Sequence, residues 1–201
     1  LEDYEERLDH DGKRRLDRLI HLSQRMEKLV NDLLYFSRIG RFELAVQRTD
    51  IRVVLRDVVS TLEQFLDERH AKVVVADDLP DVVCDSVRIT EVFRNLVVNA
   101  VKYNDRAEKR VDIGHLPQRV DEAGKERHGV YFVRDNGKGI ASEFYEDIFR
   151  IFKRLERTDD DSGTGVGLTF VRKIVQRHGG HIWLESKPGA GTTFYFTLAP
   201  E

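Results

Sequence analysis

The spacing of apolar residues divides the chain into a long helical segment and a region where helices and strands alternate. Over roughly the first forty residues, apolar side chains recur at intervals of three and four, as in the seam of a coiled coil or helical bundle. A stripe wider than such a seam favours a bundle of several helices. The alternative is an amphipathic helix that packs only on the core of its own domain. The seam positions are Leu19, Leu22, Met26, Leu29, Leu33 and Phe36, widened by Ile20, Val30 and Leu34.

Turn and capping residues set the limits of this helical segment. We expect Leu1–Leu8 to be the acidic end of a preceding helix and Asp9–Gly12 to form a turn. Gly40 stands where a glycine commonly follows the C-terminus of a helix. The sequence therefore predicts a helical segment over residues 1–41 and a separate domain over residues 46–200.

The second region alternates between helical and strand-like patterns. We predict helices that begin at Asp50, at Asp85 or Ser86, and at Gly165, the second running to about Tyr103 and the third to His178, before Gly179 and Gly180. Strands are predicted at Lys72–Val75, Arg110–His115, Val130–Arg134, His181–Ser186 and Thr192–Leu198, with Gln118–His128 as a charged, solvated loop. We therefore expect an α+β fold, a two-layer sandwich of a mixed sheet and three main helices.

Composition excludes several functional classes. The 201 residues include 33 Lys and Arg against 36 Asp and Glu, a net charge of −3, whereas a protein that binds duplex nucleic acid carries a basic surface. The single cysteine, Cys84, excludes an internal disulfide framework and suits a reducing, cytoplasmic compartment. Apolar runs such as Val73–Ala76 are far shorter than the ~20 residues of a membrane span, so we expect no membrane contact. Because the first residue is Leu1 rather than Met, we expect a piece of a longer protein.

One predicted helix carries polar residues in a pattern suited to a hydrated metal ion. Asn95, Asn99 and Lys102 share one face of this helix. Two amide oxygens and an ammonium group suit Mg²⁺ with its phosphates, because Mg²⁺ prefers oxygen ligands and retains several waters. Asparagine is a poor helix former, so two asparagines one turn apart favour a functional role for this face. Asparagines on a solvated helix face are the alternative.

Two glycine-rich stretches follow this helix. Asp135–Ile140 comes directly after a predicted strand, where glycines allow close approach to a ligand and the carboxylate can accept a hydrogen bond from an exocyclic amine; an ordinary turn has the same sequence. Gly163–Leu168 opens a predicted helix whose first N–H groups favour phosphate, and it matches neither the Rossmann fingerprint nor a P-loop. Between them, Phe149–Asp161 suits a hinged lid or a solvated loop, and Gly189–Phe194 predicts a tight turn into the last strand.

The order and spacing of these stretches resemble the ATP-binding domain of sensor histidine kinases, within the superfamily that includes gyrase, heat-shock chaperone and mismatch-repair ATPases. The match covers about residues 14–199, and its later part is most similar to phytochrome-type kinases. Asn31–Arg38 resembles the end of the second helix of the dimerisation hairpin. The stretches that resemble the family's boxes are Asn95–Tyr103 (N box), Asp135–Ile140 (first glycine box), Phe149–Leu155 (phenylalanine box), Gly163–Leu168 (second glycine box) and Gly191-Thr192 (final glycine-threonine).

The resemblance implies a Bergerat-type ATP-binding fold and a site for ATP or ADP with Mg²⁺. Asn99 would coordinate Mg²⁺, Asp135 would bind the adenine amine, and Tyr103 would stack on the base. Asn95 and Lys102 would take part in the reaction at the phosphates, with Lys153 or Arg154 meeting the γ-phosphate. The other residues that the resemblance places around the nucleotide are Gly137, Gly139, Ile140, Phe152, Gly163, Thr164, Gly165, Val166, Gly167, Leu168 and Thr192.

The sequence departs from the patterns of its family and superfamily at two points that bear on the reaction. Asn95 stands where the hydrolytic ATPases of the superfamily carry a glutamate base, which favours phosphoryl transfer to a protein over hydrolysis by water. The family's acceptor histidine is followed by an acidic residue and then proline, and none of the seven histidines has this context. His10-Asp11 comes nearest, but Gly12 and Arg15 follow it. We therefore expect the acceptor on an upstream helix, and this chain alone not to autophosphorylate.

The resemblance implies a complete reaction sequence, with other functions left open. The γ-phosphoryl group of ATP would pass to a histidine on the upstream helix and then to an aspartate of a response regulator, in a homodimer formed through the helical segment. Two alternatives are a nucleotide-responsive scaffold or phosphatase module without kinase activity, and a switch kinase that phosphorylates serine. Of the remaining histidines, His21 is expected to pack or lie at the surface, and His178 to be a helix-end residue favoured by the dipole.

Overall fold

The computed structural model describes residues 9–39, 43–153, 155 and 164–198. Within these residues the chain forms a long N-terminal helix followed by an α+β domain. The helices are α1 (His10–Ile39), α2 (Ile51–Thr61), α3 (Glu63–Glu68), α4 (Ser86–Lys102) and α5 (Gly167–Arg177), with short 3₁₀ turns at Ser142–Phe144 and Asp147–Phe149. The strands are β1 (Gln47–Thr49), β2 (Ala71–Val75), β3 (Val82–Cys84), β4 (Lys109–Val120), β5 (Glu126–Asp135), β6 (Ile182–Lys187) and β7 (Gly191–Phe196).

The main sheet has five strands in the order β2-β4-β5-β7-β6. Only β2 and β4 run parallel; the other neighbours in this sheet are antiparallel. A separate antiparallel pair joins β1 to β3, two strands that the sequence patterns did not predict. Side chains of α2, α4 and α5 pack with the sheet into one core, where Phe93 meets Tyr131 and Phe196 at ring distances of 6.3 and 5.4 Å. The predicted mixed-sheet α+β sandwich is confirmed.

Aspartate caps begin the two helices where the sequence placed them. The Asp50 carboxylate accepts the backbone N–H of Arg52 at 2.9 Å, and the Asp85 carboxylate accepts that of Arg88 at 3.2 Å. These bonds satisfy N–H groups that have no partner within the helix. The Asp85 cap sets the phase of α4, and with it the face on which Asn95 and its neighbours lie.

The hairpin of β4 and β5 is longer than the sequence predicted. The expected loop Gln118–His128 is wrong, because the two strands pair as far as Val120 and Glu126. The turn is stabilised by Asp121, whose carboxylate accepts two backbone N–H groups of the turn at 2.9 Å and Arg127 Nε at 2.8 Å. Charged side chains alternate along these strands without interrupting the backbone ladder, so the charge run did not mark a loop.

The start of α1 also differs from the prediction. The turn expected at Asp9–Gly12 is wrong, because the helix begins at His10 and Asp9 caps it, accepting the N–H of Gly12 at 2.7 Å. The helix ends at Ile39, next to the position predicted for its terminal glycine. The expectations for Leu1–Leu8 and for Gly40 lie outside the described residues. Within the described part of the chain, no helix combines the length and the apolar character needed to cross a membrane.

Two faces of α1 have different surroundings. Lys28, Asp32, Tyr35 and Ile39 follow one another at intervals of four, three and four, so they share the face that contacts the α+β domain. The predicted seam lies mostly on a neighbouring face, although its last member, Phe36, packs against Phe170 of the α+β domain at a ring distance of 6.3 Å. Its exposed side chains include Leu19, Leu22, Met26, Val30 and Leu33, each with half or more of its surface exposed.

His178 has a different role from the one that its place at a helix end suggested. It is buried, and its Nε2 atom accepts the backbone N–H of Asp85 at 3.0 Å. The ring proton therefore lies on Nδ1, which donates to the Ile174 carbonyl oxygen at 2.9 Å. The imidazole thus acts as a neutral link between the end of α5 and the start of α4. The predicted position at the helix end is confirmed, since His178 is the C-cap of α5, and the hydrogen bonds add a structural role that the sequence did not indicate.

Candidate functional site

A cavity of about 790 Å³ opens between α4, the N-terminus of α5 and the ends of β5 and β7, and α1 closes one side of it. Most of the residues predicted to bind a nucleotide line this cavity. Of the others, Gly137 and Phe152 do not line it, and Arg154 and Gly163 lie outside the described residues. The predicted residues in the lining are Asn95, Asn99, Lys102, Tyr103, Asp135, Gly139, Ile140, Lys153, Thr164, Gly165, Val166, Gly167, Leu168 and Thr192.

One end of the cavity is built around Asp135, the last residue of β5. Its Oδ1 atom accepts the backbone N–H groups of Gly137 at 2.7 Å and Thr192 at 3.2 Å. Burial raises the pKa of this carboxyl above its ordinary value, and the two N–H groups partly oppose that shift. Gly137 does not line the cavity, but its N–H group fixes the orientation of the Asp135 carboxylate. The Oδ2 atom is left to accept a hydrogen bond from a ligand.

Ser186 joins the wall behind Asp135 to the β6–β7 hairpin, and no sequence signal pointed to it. Its hydroxyl accepts the N–H of Ile140 at 2.7 Å and donates to the carbonyl oxygen of Gly191 at 2.9 Å. Tyr145 donates its hydroxyl to the Ser186 carbonyl oxygen at 2.7 Å. These bonds connect the loop that follows β5 with the strand that carries Thr192, so the two predicted glycine-containing motifs form one wall.

Close packing at Gly139 explains why this loop needs a glycine. The residue has a φ of 71°, a conformation that side chains other than glycine rarely adopt. A Cβ atom at this position would also lie 2.1 Å from the carbonyl oxygen of Lys187. The neighbouring Lys138 carbonyl oxygen accepts the N–H of Gly189 at 2.6 Å. Any larger residue at position 139 would separate the loop from the β6–β7 turn and distort the Asp135 end of the cavity.

The other end of the cavity is formed by α4 and the N-terminus of α5. Asn95 Nδ2 donates to the carbonyl oxygen of Glu91 at 2.9 Å, which turns Oδ1 towards Gly167. A Cβ atom on Gly167 would lie 2.8 Å from that oxygen. No side chain caps the 11-residue helix α5 at Val166 among the described residues. The first N–H groups of α5 therefore face the cavity uncapped, beside the amides of α4, and this arrangement suits an anion such as phosphate.

The phenylalanine-rich stretch is anchored by a different residue from the one predicted to meet the ligand. Phe149 is buried and meets the ring of Phe194 edge-on at 6.4 Å. Phe152 leaves 45% of its surface exposed and does not line the cavity. Lys153 does line it, and its Nζ atom lies 3.3 Å from a carboxylate oxygen of Asp147. The predicted lid therefore begins from a fixed base at Phe149.

Residues of α1 contribute a wall that the sequence did not predict. Thr164 Oγ1 donates to Asp32 Oδ2 at 2.5 Å. Tyr35 donates its hydroxyl to Glu91 and accepts a hydrogen bond from Arg88; burial and the Glu91 carboxylate raise the pKa of Tyr35 to about 12. Other lining residues outside the predicted set include Lys28, Thr90, Arg94, Val98, Lys138, Ile148, Leu155 and Phe170. The spacing of the polar α1 residues, on a face beside the seam, was the one signal that could have indicated this wall.

The family model described as histidine kinase-, DNA gyrase B- and HSP90-like ATPase matches residues 84–201. The chain belongs to this ATPase family. The matched segment begins just before α4 and includes both glycine-rich loops and α5, so every part of the cavity except the α1 wall and Phe65 of α3 lies within the matched residues. The resemblance to sensor histidine kinases, seen in the motifs, is confirmed by the relatives.

Two curated relatives and one solved structure show which members of the ATPase family this chain is similar to. The chain is 45% identical over 199 residues to cyanobacterial phytochrome B of Nostoc sp., covering 98% of this chain and 26% of that protein. It is 36% identical over 175 residues to the methanogenesis regulatory histidine kinase FilI of Methanothrix harundinacea, covering 87% and 19%. Full-length ShkA, solved in complex with AMPPNP, has a TM-score of 0.69 and 25% identity, covering 96% of this chain and 41% of that one. The chain thus spans about a quarter or less of the two curated relatives.

Proposed function

We propose that this chain is the ATP-binding catalytic part of a sensor histidine kinase. Its site would hold ATP so that the γ-phosphoryl group passes to a histidine of another helix, and from there to an aspartate of a response regulator. The observation that carries this proposal is a single cavity with a buried carboxylate, Asp135, at one end and the amides of Asn95 and Asn99 beside an uncapped helix N-terminus at the other. The relatives that are named histidine kinases support it.

The two ends of the cavity suit the two ends of the nucleotide. Asp135 would accept a hydrogen bond from the adenine amine, and Tyr103 would stack on the base. Lys102 and the N-terminus of α5 would bind the phosphates, and the amide oxygens of Asn95 and Asn99 fit a hydrated Mg²⁺ ion. Mg²⁺, when bound, neutralises charge on the phosphates during phosphoryl transfer.

The surroundings of Glu91 favour transfer to a protein over hydrolysis. Glu91 lies one turn before Asn95 on α4 and lines the cavity, so its carboxylate is a candidate for a base that activates water. This carboxylate already accepts the hydroxyl hydrogen of Tyr35 and lies 3.6 Å from Arg88 NH1. These contacts compete with a water molecule for the oxygens of the Glu91 carboxylate. An asparagine at position 95 cannot act as a base at all.

The helical segment, residues 1–41, would supply the dimer interface, and residues 46–200 would form the catalytic domain. The exposed seam on α1 supports a homodimer formed through a helical bundle. We further infer that the protein acts in the cytoplasm, where its response regulator would meet it. No histidine of the chain has the sequence context of the family's acceptor, so the isolated chain would bind ATP or ADP without labelling itself.

Calorimetric titration of Mg·ATP and Mg·ADP into the chain tests the nucleotide site. We expect binding by the parent and loss of binding by Asp135→Asn, because the amide cannot hold the adenine amine as the carboxylate does. Asp112→Asn is the matched control, since Asp112 lies outside the cavity and pairs with Arg110 at 2.9 Å. A folded parent that binds neither nucleotide would contradict the proposal and favour the scaffold alternative.

Incubation of the chain with γ-labelled ATP tests the type of reaction. We expect no label on the isolated chain and no rapid release of phosphate. Acid-labile label on the chain would overturn the expectation that it carries no acceptor histidine. Label that survives acid would support the serine-kinase alternative instead.

A further inference from the structure

The carboxylate of Asp32 lies at the phosphate end of the proposed nucleotide site, although it belongs to α1. Thr164 is buried, with 9% of its surface exposed, and it uses its single hydroxyl hydrogen to bond Asp32 Oδ2 at 2.5 Å. The next residues of the chain, Gly165 to Gly167, lead into α5, whose first N–H groups face the same cavity. The Asp32 carboxylate therefore already accepts the Thr164 hydroxyl hydrogen, at the place where the outermost phosphate of a nucleotide would bind.

The position of Asp32 is fixed by contacts that do not involve Asp32 itself. One turn further along α1, Tyr35 bonds both Glu91 and Arg88 and meets the ring of Phe170 edge-on at 5.2 Å. At the end of the helix, Arg177 donates to the Ile39 carbonyl oxygen at 2.9 Å. Replacing Asp32 would therefore remove a charge from the cavity and leave α1 in place.

We propose that Asp32 sets the selectivity of the site between nucleoside triphosphate and nucleoside diphosphate, by lowering the affinity for the triphosphate. The carboxylate holds the Thr164 hydroxyl, which a terminal phosphate oxygen would otherwise accept, and it repels the added negative charge. The inference rests on the proposed function, because it assumes that the cavity binds ATP and ADP with the phosphates at the N-terminus of α5. Like charges a few ångströms apart in a partly solvated cavity change an equilibrium by about tenfold or more.

The direction of the effect follows from the charges that face Asp32. Lys28, one turn before it on α1, and Lys153, at the base of the predicted lid, line the same cavity and remain positive in the variant. Asp32→Asn keeps an oxygen that can accept from Thr164 and removes one negative charge. The triphosphate carries more charge at this end than the diphosphate, so its affinity rises more. Full affinity for ATP in the parent would require α1 to withdraw from Thr164, which couples the position of this helix to the nucleotide.

The seam does not compete with this arrangement. The exposed seam positions Leu19, Leu22 and Met26 lie six or more residues before Asp32 and on a different face of α1, so a second chain can pair there while Asp32 keeps its contact with Thr164. A change in selectivity in Asp32→Asn would therefore come without a change in oligomeric state, and this distinguishes a charge in the nucleotide site from an indirect effect of helix pairing.

Titration of Mg·ATP and Mg·ADP into the parent, Asp32→Asn and Glu27→Gln tests the inference. Glu27→Gln removes one negative charge from the same helix at an exposed position outside the cavity, so it is the matched control. We expect the ratio of ATP to ADP affinity to rise by about tenfold in Asp32→Asn and to stay constant in Glu27→Gln. Thermal melts of the three proteins without nucleotide show whether the fold is retained.

Three results would overturn the inference. An unchanged ratio in a folded Asp32→Asn variant overturns it and leaves the proposed function intact, because the nucleotides still bind. A larger rise for ADP than for ATP also overturns it, since the carboxylate would then act mainly against the diphosphate. Absence of binding in all three proteins overturns the proposed function and this inference together.

Discussion

The Nε2 atom of His178 accepts the backbone N–H of Asp85 at 3.0 Å, so the last turn of α5 is bound to the residue that caps α4. The two helices supply the end of the cavity that we propose binds phosphate, one through its N-terminus and the other through its asparagines. This buried hydrogen bond, between residues 93 positions apart in the sequence, therefore fixes the relative position of the two helices.

We expect His178→Ala to destabilise the protein, because it leaves the Asp85 N–H and the Ile174 carbonyl oxygen without their partner in a buried place. Loss of a buried hydrogen-bond partner costs about 1–3 kcal/mol. Urea unfolding measures the change. His128→Ala is the control, since His128 lies on the exposed part of the β4–β5 hairpin; an equal loss of stability in both variants would contradict the role of the buried ring.

The buried carboxyl of Asp135 makes stability depend on pH in a defined direction. Its pKa in the folded protein is above its ordinary value, so the folded state binds the proton more tightly than the unfolded state. Its contribution to stability is therefore largest at low pH and is lost as pH rises through the raised pKa. We expect Asp135→Asn to be more stable than the parent at neutral pH, with the difference shrinking as the pH is lowered.

Urea unfolding of parent and Asp135→Asn at several pH values between 4 and 7 measures this difference. Asp112→Asn serves again as the control, because it replaces a carboxylate outside the cavity on the neighbouring strand. The expectation fails if Asp135→Asn is less stable than the parent at neutral pH, since that result would mean that the charged form is favoured in the folded protein.

The exposed part of the α1 seam predicts self-association. We expect the parent to form dimers as its concentration rises, because burying side chains such as Leu22 and Met26 removes apolar surface from water. Leu22→Glu and Met26→Glu should each shift the protein towards monomer, since a charge at a seam position loses its hydration when the helices pair. Sedimentation equilibrium over a range of concentrations measures the effect.

Gln24→Glu is the control for these variants, because it adds the same charge to an exposed position of α1 outside the predicted seam. A parent that stays monomeric over the whole concentration range would contradict the proposed dimer. Equal dissociation by Gln24→Glu and Met26→Glu would show that general charge, rather than the seam, controls association.

Local patterns in the sequence determined most of the elements and much of the cavity. The 3.6-residue period of a helix places Asn95, Asn99 and Lys102 on one face wherever that helix lies, and all three line the cavity. The caps at Asp50 and Asp85 are likewise encoded within a few residues, and the structure has both. Charge runs were a poorer guide, because a β-ladder tolerates charged side chains that point to solvent and the β4–β5 hairpin continues through them.

Only the tertiary structure decided the contacts between elements that are distant in sequence. Asp32 and Thr164 are separated by 132 residues, and Ser186 and Ile140 by 46. Periodicity fixes the face of a helix on which a residue lies, but it does not fix the element that this face meets. The contact partner of each face is decided by the packing of the helices on the sheet. This packing places α1 against the cavity, where it forms one wall.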